Sequence, residues 1–356
     1  MDAIAAKILQ TPEDFRDAGL IAPALVPALE AVAARYVAAV TPILQTAIAE
    51  TGRDGPIARQ FVPSPAELNV AADERADPIG DAVHSPVKGV VHRYPDRVLL
   101  MPTHVCAVYC RFCFRREAVG PDAGLMSAAE LDAAMAYIAR TPAVWEVILT
   151  GGDPLVLSAR RLDDIVRRLD AIPHVRVLRV HTRVPIAVPE RIDGALIAAF
   201  RTSGKAVYVA IHCNHPAELT REVIAACARL ADAGFGLLSQ SVLLKGVNDS
   251  VETLAELMRA LVAARIKPYY LHHLDLAPGT SHFRVPVAEG QALMRVLRTR
   301  VSGIALPTYV LDIPGGFGKV PVGPAYLAPV IDAVAQDSYA VEDRMGARHI
   351  YPPVPE

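Results

Sequence analysis

Residues 98–116 read VLLMPTHVCAVYCRFCFRR, a short apolar run followed by a loop with three cysteines, Cys106, Cys110 and Cys113. The run 98–102 is a candidate strand, and the loop has the spacing C-x3-C-x2-C. Three thiols at this spacing can turn into one pocket and ligate three irons of a cubane cluster. The fourth iron then lacks a protein ligand and stays open to a small molecule. Thiolates suit iron–sulfur clusters because they are soft and lose their proton on binding. A structural zinc site asks for a fourth Cys or His at matching spacing and a closed tetrahedron. His104 lies two residues before Cys106, too close for that spacing.

Working outward, the same texture repeats downstream. Candidate strands fall at 145–150, 175–180, 207–212, 237–242, 268–273 and 307–311, with helical candidates near 127–140, 158–170, 189–203, 217–233, 250–264 and 287–301. This βα alternation predicts a parallel sheet with helices outside, open or curled into a barrel, with functional loops at the strand carboxyl ends. Upstream, residues 24–50 are Ala- and Leu-rich with apolar positions at helical spacing, bounded or kinked by Pro27 and Pro42. Residues 51–97 read as a polar, proline-containing connector. After about residue 320 the chain is Pro-rich, which predicts a strap and a loosely ordered end.

The 356 residues are 52% apolar and 21% charged, as in a soluble globular protein. With 36 basic and 38 acidic side chains the formal charge is −2, so no nucleic-acid or anionic-membrane partner is advertised. The start, MDAIAAKILQTPEDF, lacks the basic-then-apolar order of a signal peptide. No stretch approaches the ~20 apolar residues of a membrane span, and the expectation is a cytoplasmic protein. Five cysteines without a secretory signal argue against a disulfide framework. Cys213 and Cys227 read as small buried residues.

Other segments carry chemistry less sharply. Leu149-Thr150-Gly151-Gly152-Asp153-Pro154 follows the second candidate strand and is by itself a turn signal. Asp312-Ile-Pro-Gly315-Gly316-Phe317-Gly318-Lys319 places glycines, which admit an anion close to the backbone, beside a lysine able to form a Schiff base. It is a phosphate nest or a flexible turn, and it does not have P-loop spacing. Arg93 and Arg97, with Tyr94 between them, would suit a dianionic phosphate or form a solvated turn. His212 and Gln240 end candidate strands, where ligands are expected and where core polar groups also occur.

The cysteine spacing after the first strand resembles the radical S-adenosylmethionine (SAM) superfamily. The resemblance implies a 4Fe–4S cluster on Cys106, Cys110 and Cys113, with SAM chelating the open iron and yielding a 5′-deoxyadenosyl radical. Gly151, Gly152 and Asp153 look like the superfamily's glycine-rich element, whose backbone and acid contact the cofactor's amino group. From about residue 55 to 325 the chain resembles the lysine 2,3-aminomutase family in particular. That resemblance implies pyridoxal phosphate on Lys319, with Arg93, Tyr94 and Arg97 at its phosphate and His212 and Gln240 among the cofactor contacts. It places Arg115 on the substrate carboxylate, and Asp275 and Asp312 on the side-chain ammonium of lysine. The amino group would move from the α-carbon to the β-carbon, with SAM regenerated.

The fold class implied is α/β, a partial (β/α)6-type radical SAM barrel at 91–305. A helical region and connector at 1–90 precede it, and the lysine segment and tail at 306–356 follow. An electron donor such as flavodoxin or ferredoxin and a homo-oligomer are the implied partners. Three departures stand out. Phe114 follows the cysteine motif where the family's lysine mutases tend to have threonine; CRFCFRR is closer to relatives that isomerise lysine for elongation factor P modification. Phe317 interrupts the glycine run. No cysteine follows Cys227, so the carboxyl-terminal zinc cysteines of some family members are absent. An elongation factor P lysine isomerase, or an aminomutase for another amino acid, is the alternative.

Overall fold

A computed structural model describes residues 7–330 and 338–352. The first six residues of the amino-terminal reading and the end of the tail, 353–356, lie outside the described residues. The described residues begin with four short α-helices, α1 (Pro12–Asp17), α2 (Val26–Ala33), α3 (Pro42–Thr51) and α4 (Pro56–Phe61). Each has proline in its first turn, where the missing N–H would have had no helical partner. The helical stretch expected over 24–50 is therefore two helices. Pro42 opens α3, and Val40 just before it is extended and bridges Leu9.

The connector expected over 51–97 also holds structure. Besides α4 it contains strand β1 (Val90–Tyr94), which folds back antiparallel on β2 (Arg97–Thr103) with Tyr94 opposite Arg97. The short Val90-Val91 run and a Pro-Asp turn make this hairpin, too brief for a periodicity to register.

From β2 onward the strands β3 (Glu146–Gly151), β4 (Val177–Thr182), β5 (Ala206–His212), β6 (Gly236–Val242), β7 (Lys267–His272) and β8 (Thr308–Asp312) pair in parallel, in sequence order. Strand β9 (Lys319–Pro321) returns antiparallel along β8. Right-handed crossovers put the helices on one side of such a sheet. The nine-stranded sheet curls into an open barrel whose edges are β1 and β9. Strand β4 runs two residues later than expected, which carries His181 and Thr182 into the sheet.

Helices α5 (Ala128–Ala139), α6 (Ala159–Asp170), α7 (Val184–Ala187), α8 (Gly194–Arg201), α9 (Arg221–Asp232), α10 (Val251–Ala263) and α11 (Val287–Arg300) complete the layers. Ser127, Ser158, Asp193, Thr220 and Ser250 cap α5, α6, α8, α9 and α10 through side-chain oxygens. Such a cap contributes about 1 kcal/mol. Asp193 starts α8 later than the 189–203 reading. In α6, Leu162, Ile165, Val166 and Leu169 make the buried stripe that holds it to the sheet.

The tail differs from the loose strap expected. Its described part is a three-stranded antiparallel sheet of β10 (Leu327–Pro329), β11 (Tyr339–Glu342) and β12 (Arg348–Tyr351). Asp343 and Gly346 turn the β11–β12 hairpin, while Arg295 and Arg298 of α11 hold Glu342 and the Asp343 carbonyl. Among the described residues no helix is long and apolar enough to cross a membrane.

Candidate active site

Parallel strands bring their carboxyl ends to one mouth of the barrel, and a cavity of about 1020 Å³ lies inside it. The three cysteines, Lys319 and the other cofactor and substrate candidates named from the sequence line this cavity, while Gly315, Gly316 and Gly318 of the glycine loop do not.

The cysteine loop follows β2 and is nailed down from below. Arg111, almost wholly buried, donates to Glu67 Oε1 and Oε2 at 3.0 and 3.1 Å through Nε, and to Oε2 at 2.5 Å through Nη2. Arg116 pairs with the same carboxylate. Burial would raise the Glu67 pKa, but the two guanidiniums outweigh it and hold the group below the usual carboxylate range. Glu67, Arg111 and Arg116 were invisible as a unit in the sequence, since 44 residues separate Glu67 from Arg111.

All three loop cysteines are free thiols. Burial pushes Cys106 far up and Cys113 up to about 11. A thiol so placed gives up its proton readily only to a metal, which supplies the missing positive charge. Cys106, Cys110 and Cys113 all line the cavity, and three thiol donors there are the ligand chemistry an iron–sulfur cluster asks for.

Beside them β3 ends in Gly151 and Gly152. A Cβ on Gly151 would stand 2.4 Å from the Thr103 carbonyl oxygen, and one on Gly152 2.3 Å from that of Val105. The glycines let the two loops touch. Asp153 lines the cavity beside them and is also bonded from within the protein. Its carboxylate accepts from Leu155 N (3.0 Å), Thr182 Oγ1 (2.7 Å), Arg183 N (2.7 Å) and Val184 N (3.2 Å), clamping β3 to β4. These internal donors fix the carboxylate at the cavity wall.

His212 has a buried Nε2 with no hydrogen-bond partner among the described residues. Burial drives its pKa well down, so the ring is neutral and an acceptor or donor is left over for a ligand. Gln240 Nε2 lies 3.3 Å from Nε2 of His181, another ring kept neutral by burial. His181 escaped the sequence reading. Its signal was the alternation in β4, where Arg179 and His181 point the same way into the barrel.

At the other end, Tyr94 Oη accepts from the Lys319 backbone N–H at 2.7 Å, and the Arg97 guanidinium lies 3.8 Å from the Tyr94 ring centre. Arg93 and Arg115 both grip Asp81, at 2.9 Å through Nη2 of Arg93 and at 2.8 and 2.7 Å through Nε and Nη2 of Arg115. Asp81 was not foreseen. It sits on a segment that rests against the glycine loop, where Gly315 N donates to the Pro78 carbonyl at 3.2 Å. Gly316 has φ +89°, and a Cβ there would meet His84 Nε2 at 2.7 Å. Phe317, which interrupts the glycine run, is 81% exposed and points away, so the loop keeps its course.

Lys319 opens β9 directly across from Asp312, and its Nζ pairs with that carboxylate. His272 Nδ1 is 3.6 Å away on the same oxygen. Burial raises Asp312, but hydrogen bonds and charge from His272 and Lys319 prevail and hold it at about 2. Burial, then the nearby Asp312 charge, pushes Asp275 up to about 7. Asp312 is thus paired with the chain's own lysine here, while Asp275 is a carboxyl group short of a cation.

A thiol trio at the carboxyl end of an open (β/α) barrel is the arrangement of radical SAM enzymes, and the radical SAM superfamily profile matches residues 100–258. The lysine-2,3-aminomutase profile matches residues 294–335, which include Asp312 and Lys319. Over 289 residues the chain is 44% identical to the L-lysine 2,3-aminomutase of Acetoanaerobium sticklandii, covering 81% of this chain and 70% of the relative. It is 43% identical to that of Clostridium subterminale over 289 residues, 81% and 69% of the two chains. Against the L-lysine 2,3-aminomutase of Escherichia coli K12 it is 40% identical over 274 residues, 76% and 78%. A solved radical SAM methyltransferase from Sphaerobacter thermophilus is 23% identical, over 64% of this chain and 71% of that one, with a TM-score of 0.45. The chain belongs to the lysine 2,3-aminomutase family of radical SAM enzymes.

Proposed function

We propose that this protein is an L-lysine 2,3-aminomutase, an isomerase that moves the α-amino group of L-lysine to the β-carbon. The observation that carries the reading is a single cavity shared by three cysteines, a lysine on a glycine loop, and two acids at the far end. Cys106, Cys110 and Cys113 would hold a 4Fe–4S cluster. SAM would lie along Gly151 and Gly152, near His212 and Gln240, and pyridoxal phosphate would join Lys319 with its phosphate near Arg93, Tyr94 and Arg97. When bound, these groups supply the carbon radical that abstracts hydrogen and the conjugated ring over which an unpaired electron spreads.

The chain's own residues do the rest. Arg115 engages the substrate carboxylate through the guanidinium edge that Asp81 leaves free. Asp275 takes the side-chain ammonium, offsetting the desolvation of both charges. Asp312 holds the proton on Lys319 Nζ and shares the far end of the cavity with Asp275. Ile148, Leu238 and Val310 line the walls and keep water from the reacting carbons. A flavodoxin or ferredoxin as electron donor, a homo-oligomeric assembly and a cytoplasmic location complete the proposal.

The test is anaerobic reconstitution with iron, sulfide, SAM and pyridoxal phosphate, followed by incubation with a panel of amino acids. β-Lysine should dominate by mass spectrometry, and alanine at Cys106, Cys110 or Cys113 should abolish 5′-deoxyadenosine formation. Vigorous SAM cleavage with no β-lysine would reject lysine as the substrate.

A further inference from the structure

Arg183 follows β4, and its side chain is 6% exposed. Its Nη1 donates to Cys110 Sγ at 2.9 Å. Its Nη2 donates to Glu218 Oε2 and to Gln60 Oε1, each at 2.6 Å. Glu218 Oε1 accepts from the backbone N–H groups of Asn214 and His215 at 2.9 Å and from Gln60 Nε2 at 3.1 Å. Gln60, Asn214 and Glu218 are all buried. The ring centres of Phe61 and Phe112 lie 4.4 and 5.5 Å from the guanidinium carbon. A buried network reaching from α4 to the turn that precedes α9 thus aims one cation at one sulfur. Among the described residues, no other side-chain cation is hydrogen-bonded to any of the three thiols.

We propose that Arg183 sets the reduction potential of the cluster, raising it by stabilising the reduced form through Cys110. The inference rests on the cluster assignment above. Reduction adds one electron, supplied by an external reductant, and makes the cluster more negative. A cation hydrogen-bonded to a ligand sulfur, in a site shielded from water, favours that more negative state. Glu218 sets how much of the guanidinium charge the cluster feels. Arg183 is a positioning residue in this scheme: it acts through Cys110 and touches no substrate atom.

The experiment compares the reconstituted parent with Arg183→Gln, Arg183→Lys and Glu218→Gln. Iron and sulfide content is measured first, then the cluster midpoint by electron paramagnetic resonance during a dithionite titration. Arg183→Gln should move the one-electron equilibrium at least tenfold toward the oxidised form, 59 mV more negative. Arg183→Lys should move it less in the same direction, and Glu218→Gln in the opposite direction. Opposite signs distinguish charge from mere loosening of the loop. Midpoints within twofold of the parent in clusters of full occupancy, or shifts of one sign in the Gln variants, would overturn the proposal and leave the cluster assignment standing. If Arg183→Gln does not fold, Arg183→Lys and Glu218→Gln decide by the same criteria. A parent that assembles no cluster overturns both readings.

Discussion

Replacing Asp275 with asparagine keeps the shape of the side chain and removes its charge. In the folded protein the pKa of this group is about 7, raised first by burial and then by the Asp312 carboxylate. At pH 8.5 it is mostly ionised and ready for an ammonium group. Removing one partner of a buried ion pair costs about 3–5 kcal/mol, or about two to three and a half powers of ten in kcat/KM. The loss depends on pH in a definite sense. Below pH 7 the parent's own Asp275 takes a proton, so the gap between parent and variant narrows about tenfold per pH unit. Stability runs the other way. The folded pKa lies above the ordinary 3.8, so the folded parent binds more protons than the unfolded chain between about pH 4 and 7, and its stability falls as pH rises through that window. Asp275→Asn escapes this fall and should be more stable than the parent at pH 8, by no more than about 4 kcal/mol, and so melt at a higher temperature. The assays are β-lysine formation at low substrate from pH 6 to 9 and thermal melting at pH 5 and 8. Turnover within threefold of the parent at pH 8.5, or an unchanged melting point at pH 8, refutes the reasoning.

Borohydride reduction of the reconstituted protein should fix the pyridoxyl group on the peptide containing Lys319. A label on Lys205, whose Nζ is held by the carbonyls of Ile172 and Val175, would show the assignment to be wrong. Asp81→Asn releases Arg93 and Arg115 from their common anchor and should raise KM for lysine about tenfold with kcat little changed; steady-state kinetics with unchanged KM reject that role. Gly316→Ala forces a side chain into φ +89° against His84 and should cost about 1–3 kcal/mol. Phe317→Gly, at an exposed position, should shift the melting point by far less, and equal losses would show that the loop's conformation is not the cause.

Much of this protein is written locally. C-x3-C-x2-C places three thiols within one loop, and that grouping needs no tertiary contact. Apolar runs alternating with amphipathic helices dictate parallel strands, and parallel strands must end at the same mouth. For that reason His212 and Gln240, read as strand-end residues, meet Asp312 at the end of β8 and Asp275 just after β7 in one cavity, although up to 100 positions apart in the chain. What the sequence left undecided was which charge answers which. Arg115 and Asp81 lie 34 residues apart, and Arg183 and Cys110 lie 73 apart. A surface arginine and a buried one read the same in a chain, because burial and pairing come from elements packed later against them. The same is true of Asp153, drawn into a clamp by the end of β4, and of Lys319, paired with Asp312 across the β8–β9 turn. The raised pKa of Asp275 has the same origin. Desolvation and a neighbouring carboxylate are properties of the folded cavity, and no residue carries them alone.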